Sequence, residues 1–150
     1  MSKKYGFFGV LILCAVLTFS SCSFFTSYVD IDHITNELDT ALCNEYGLSL
    51  TDRATIMKGH MDIAWQDPCI QLTFRISEDE LINCLDDKWA EDARIGDESI
   101  EGQPSEKSYY RPNQAGKYGR DAYIYHTRAD DHGEIFVFFY GSNPSMRWIK

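Results

Sequence analysis

Basic residues are scarce in this chain: 14 Lys and Arg stand against 23 Asp and Glu, for a formal net charge of −9. A surface of that sign repels nucleic-acid phosphates and anionic lipid headgroups, so neither is expected as a charge-driven partner. Catalytic signatures are missing from the sequence as well. It has no Gly-x-Ser-x-Gly elbow, no His-Glu-x-x-His pair and no Gly-rich phosphate loop. No two cysteines are spaced Cys-x-x-Cys, which argues against structural zinc and thioredoxin-like redox chemistry. No cofactor is expected.

A long apolar run is lacking too. The uncharged stretch from Phe7 to Phe19 falls short of the roughly 20 residues that span a bilayer. What precedes and follows it is informative: Lys3 and Lys4 form a basic end, and Ser20 and Ser21 are the small residues a processing peptidase requires. The tail Leu17-Thr-Phe-Ser-Ser-Cys22 resembles the lipobox of bacterial lipoproteins, with Phe19 and Ser21 where leucine and glycine or alanine are commonest. Cys14 fits less well, because bulky Ile12 and Leu13 precede it. The resemblance implies a signal peptide over 1–21 and an acylated Cys22 as the mature N-terminus. Acyl chains contribute about 0.8 kcal/mol per buried CH₂, so several chains give firm membrane attachment. Ser23, rather than Asp, after the cysteine points to the outer membrane, on its periplasmic side, by the enteric rule.

Removing 21 of 150 residues leaves about 129, enough for one domain with a core. The charge of −9 becomes −11 once Lys3 and Lys4 leave. Cys43, Cys69 and Cys84 remain in an oxidising setting, an odd number that permits one internal disulfide at most. Geometry ranks the pairs. If a strand over 69–76 turns directly into a helix, Cys84 lies roughly 10 Å from the corner, but Cys69 roughly 23 Å. Cys43 and Cys84 then sit at similar depth on neighbouring helices, so that pair is the expected bridge.

After a tether over 22–29, the domain spans 30–150. Ile31, Ile34, Leu38, Ala41 and Leu42 recur at helical spacing, with Asp30 or Asp32 as cap and Gly47 as terminator. A strand over 54–62 follows. Ile70, Leu72, Phe74 and Ile76 then alternate with polar residues, which predicts a half-buried strand. Ser77 and Glu80 read as a capping box for a helix whose inner face is Leu81, Ile82, Leu85 and Trp89. Residues 91–120 show no periodicity and read as a long loop. A hairpin over 121–127 and 134–140 closes the chain around Asp130-Asp-His-Gly133, with 141–150 as a tail. The order α-β-β-α-β-β predicts an α+β fold: a four-stranded antiparallel sheet with two helices on one face.

In the last hairpin Tyr123, Tyr125, Phe136, Phe138 and Tyr140 share one face by alternation, opposite Ile124, Ile135, Val137 and Phe139. An aromatic sheet face of that size needs cover, either from the 91–120 loop through Tyr109, Tyr110 and Tyr118, or from a partner. The same loop holds the main basic concentration, Lys107, Arg111, Lys117 and Arg120. These residues, with the acidic segment between Glu78 and Glu101, are the candidate binding surfaces for a protein or an envelope component. An immunity protein or lysozyme inhibitor offers an analogy for such an acidic anchored domain. The alternative is a small envelope hydrolase with a site under the loop, using His126 or His60 as base. His33, beside Asp30 and Asp32, and His132, in the Asp130–Gly133 turn, are accounted for by capping and turn geometry rather than metal binding.

Overall fold

The computed structural model describes residues 28–63, 68–92, 99–112 and 122–142. The fold is mostly β rather than the expected α+β arrangement, with an eight-stranded antiparallel sheet and two short helices. In chain order the elements are β1 (Tyr28–Asp30), α1 (Asn36–Tyr46), β2 (Thr55–Asp62), β3 (Cys69–Ser77) and α2 (Glu78–Cys84). Then come β4 (Ala90–Asp92), β5 (Ser99–Ile100), β6 (Gln103–Arg111), β7 (Ala122–Thr127) and β8 (Glu134–Ser142). The strands lie side by side in the order β1-β2-β3-β8-β7-β6-β4, and β5 pairs with the start of β6.

The four-stranded sheet is corrected at both ends. Tyr28–Asp30 lies within the expected tether and helix start, but it pairs with the far end of β2, and Ile31 N–H donates to Gly59 O at 2.9 Å. Ile31 is therefore buried by an extended chain and not by a helix. The helix starts later, where the Thr35 hydroxyl accepts from Leu38 N at 3.1 Å. At the other end, the expected 91–120 loop holds β4, β5 and β6. Strand β6 lies against β7 through five consecutive pairs, from Lys107–His126 to Arg111–Ala122.

Strands β3, β8 and β7 form the middle of the sheet, and their alternation defines its two faces. On the inner face Ile70, Leu72, Phe74, Ile76, Ile135, Val137, Phe139 and Ile124 are buried, together with Leu38, Leu42 and Tyr46 of α1 and Leu81 of α2. At about 25 cal/mol per Å² of apolar surface removed from water, this layer supplies the main drive to fold.

Helix α1 ends at Gly47, whose φ of 63° places it in the left-handed region that favours glycine. Its N–H donates to Cys43 O at 2.9 Å, and a side chain there would collide with the Asp86 carboxylate. Helix α2 departs from expectation. Ser77 makes no side-chain capping bond, and Glu78 N–H instead donates to Gly133 O at 3.0 Å. The helix stops at Cys84, Leu85 bridges to Leu48, and Ile82 points to solvent.

Cys43, Cys69 and Cys84 are free thiols, so the Cys43–Cys84 bridge is not formed. Cys43 is exposed whereas Cys84 is buried, so the two do not occupy the equivalent positions that the pairing required. Burial pushes the Cys84 thiol up, against the opposing pull of Arg53. Under native conditions an alkylating reagent is expected to label Cys43 fastest and Cys84 only on unfolding. Mapping of the labelled peptides at successive times checks this order.

Candidate functional site

The outer face of the sheet carries the aromatic side chains in register. One row crosses six strands through direct pairs: Tyr110, Tyr123, Tyr140, Gln71, His60 and Asp30. A second, parallel to it, runs Asp92, Ser108, Tyr125, Phe138, Thr73 and Lys58. Phe136 and Arg75 lie opposite each other beyond the second row.

The rings touch along the rows. Tyr110 and Tyr123 have centroids 5.1 Å apart, Tyr123 and Tyr140 6.3 Å, and Tyr125 and Phe138 6.4 Å with planes 27° apart. Cross-strand aromatic pairs at such separations stabilise a sheet as well as shaping its surface. All six rings are half-buried. The surrounding groups are polar: Arg75 pairs with Glu134 at 3.1 Å, and Gln71, Thr73 and Lys58 continue the surface toward β2.

A small hairpin folds over part of this face. Ile100 and Gln103 pair across a two-residue loop in which Glu101 and Gly102 have φ of 51° and 78°. Positive φ at both central positions is the signature of a type I′ turn. A register shift between Ser105 and Lys107 marks a bulge, and bulges bend a strand. The result is that β5 contacts β8, and Ile100 is buried outside the main inner core. Between hairpin and sheet lies a cavity of about 230 Å³ lined by Lys58, Thr73, Ser99, Ile100, Glu101 and Phe138. A larger groove of about 380 Å³ runs along α1, but every described residue lining it belongs to that helix, so no groups converge there.

The residues singled out in the sequence separate into groups. Tyr123, Tyr125, Phe136, Phe138 and Tyr140 share the outer face, joined by Tyr110, which the loop assignment of 91–120 had concealed. Arg111 lies on the inner side, where its guanidinium holds Asp86 at 2.9 Å and donates to Glu45 O at 3.4 Å. Tyr109 is also on that side, stacked on His126 with ring planes 16° apart. Cys22, Lys117, Arg120 and Tyr118 lie outside the described residues.

The two histidines lie on opposite faces. His126 is 2% exposed, and its Nδ1 is 2.8 Å from Thr127 O. A carbonyl only accepts, so Nδ1 carries the proton and this nitrogen is committed to the backbone. His60 is half-buried on the outer face beside Tyr28, with ring centroids 6.3 Å apart. Neither lines the cavity under the hairpin. Asp130 serves the β7–β8 turn: its carboxylate accepts from His132 N at 2.8 Å and Glu134 N at 2.9 Å, and these backbone bonds hold its pKa below the usual carboxylate range. His33 bonds the neighbouring Asp32.

Comparison with family models, curated proteins and solved structures gives no match.

Proposed function

We propose that the chain is a non-catalytic binding protein of the bacterial cell envelope, held to the membrane through acylated Cys22, with the outer sheet face as its recognition surface. The observation that carries the binding reading is the row of half-buried rings from Tyr110 to Tyr140, with Tyr125 and Phe138 beside it. Aromatic rings present large contact area at small conformational cost, and they dominate interfaces for that reason. A partly covered tyrosine also keeps a polar end for hydrogen bonding. The anchor rests on Lys3, Lys4, the apolar run and Phe19-Ser-Ser-Cys22.

The test has two arms, one for each half of the proposal. Cys22→Ala should move the protein from the membrane fraction to the soluble one. Unchanged partitioning would defeat the anchor. Separately, photo-crosslinking from the position of Tyr123 in intact envelopes should give a discrete adduct that Tyr125→Ser weakens. Equal labelling from Asn83, an exposed residue of α2, would defeat the recognition surface.

A further inference from the structure

The cavity beneath the β5–β6 hairpin combines apolar side chains with two exposed charges of opposite sign, Lys58 and Glu101. Phe138, on the sheet, and Ile100, on the hairpin, are its apolar lining, and Thr73 and Ser99 line it as well. Lys58 and Glu101 line the same space, yet among the described residues they make no ion pair with each other. Glu101 is held there by a turn that usually takes Asn or Asp before its glycine, with φ of 51°. A non-glycine residue in that region is strained, and such strain concentrates where a side chain has a job to do.

We propose that this cavity binds one ring of a saccharide, and that this is the envelope component the outer face recognises. The inference rests on the outer face being a binding surface, and it narrows what is bound. A purely apolar ligand would strip water from Lys58 and Glu101 and return nothing. A phosphate or other simple anion would meet the Glu101 carboxylate in a chain whose net charge is already −9. A polyol ring suits both ends. Its C–H face lies on Phe138, while its hydroxyls donate to Glu101 and accept from Lys58, because each hydroxyl can do either. Thr73 and Ser99 add partners of the same double character.

The volume agrees with a ligand of that size. About 230 Å³ is below the range for drug-sized molecules and suits a single small ring. The apolar lining does not end at the cavity, since Tyr125 continues it 6.4 Å from Phe138. A chain of rings would therefore extend from Phe138 onto the half-buried ring of Tyr125. This continuation favours a saccharide over a free amino acid, the other ligand that opposite charges would suit.

The experiment titrates the full chain in detergent with tetramers of β-1,4-linked glucose and of N-acetylglucosamine, and with glycylglycine as the zwitterionic alternative. Binding is followed by amide and methyl chemical shifts. Saturable binding of a tetramer is expected, with shifts centred on Thr73, Ile100 and Phe138. Glu101→Gln and Lys58→Met should each weaken it at least about tenfold, the scale of a lost charge-assisted hydrogen bond. Both side chains are on exposed residues, so these variants keep the fold. Phe138→Ala should abolish binding. No saturation by either tetramer at about 10 mM, beyond the weakest useful affinity, would overturn the proposal. So would binding indifferent to Glu101→Gln, or binding of glycylglycine alone. If the tetramers fail while crosslinking from Tyr123 still gives its adduct, the recognition surface stands and only the saccharide falls.

Discussion

Gly141→Ala is expected to destabilise the domain by about 2–3 kcal/mol, more than the addition of one methyl group to a surface strand would cost. Gly141 is within β8, paired with Ile70 on one side and Ala122 on the other. The ring of Tyr46 lies directly on it. A Cβ at this position would come within 2.6 Å of Tyr46 Cζ and 3.0 Å of Ile70 Cγ2. The ring cannot swing away cheaply, because Tyr46 is fully buried and its hydroxyl donates to Ser142 O at 2.9 Å. Phe139 also meets its edge, with centroids 5.4 Å apart and planes at 70°. Denaturant unfolding of Gly141→Ala, Tyr46→Leu and the double variant checks the account. The double variant should be less destabilised than the sum of the singles, since the leucine side chain vacates part of the space. Strict additivity would show that the ring is not the obstacle.

Gly141 illustrates where the sequence stops being readable. A glycine after an apolar alternation reads as the end of a strand, and nothing nearby hints at a tyrosine 95 positions earlier in the chain. Strands β3, β7 and β8 were legible because a sheet with one face covered imposes a strict period of two on apolar residues. Strand β6 was hidden for the opposite reason. Its neighbours across the sheet are covered by Tyr109, Tyr110, Ser108 and Arg111, so burial falls on residues that do not score as apolar. Strands β1, β4 and β5 are two or three residues long, below any detectable period.

The candidate site was legible to the same extent. Alternation placed Tyr123, Tyr125, Phe136, Phe138 and Tyr140 on one face, because that deduction needs only local geometry. Bringing Lys58 of β2 and Glu101 of the hairpin to Phe138 needs the pairing of distant strands, which local pattern cannot supply. Arg111 was grouped with the aromatic face by its place in a basic segment, whereas parity along β6 turns it to the other side, opposite Ala122. The acidic run between Glu78 and Glu101 likewise resolves into separate roles. Glu78 lies 3.9 Å from Lys107, while Asp86 is held by Arg111.

That last contact carries the second large effect, a loss of about 2–3 kcal/mol near neutral pH in Arg111→Ala. The Arg111 side chain is only 12% exposed. It holds Asp86 through two bonds, Nε to Oδ1 at 3.3 Å and Nη2 to Oδ2 at 2.9 Å. A third bond, from Nη1, reaches Glu45 O near the end of α1, a helix with no basic residue in its last turn. The guanidinium thus stands in for the cation that a helix C-terminus favours. Asp86 in turn donates its N–H to Gly47 O at 2.9 Å, so one side chain ties β6 to the ends of both helices. Burial raises the Asp86 pKa, but the Arg111 bond, the Lys88 backbone N–H and the nearby positive charge outweigh it, and the carboxyl sits below its ordinary range. A lowered folded pKa contributes stability above the unfolded value of about 3.9, and that contribution is lost as pH falls through the folded pKa. The deficit of Arg111→Ala should therefore be full at pH 7 and shrink in acid below about pH 4. Arg111→Lys should recover only part of it, since an ammonium cannot make the paired bonds of the fork. Unfolding free energies of the wild type and both variants between pH 7 and 3 decide the matter. A deficit that does not change with pH, or full recovery by lysine, would mean that Arg111 acts through packing of its stem and not through Asp86.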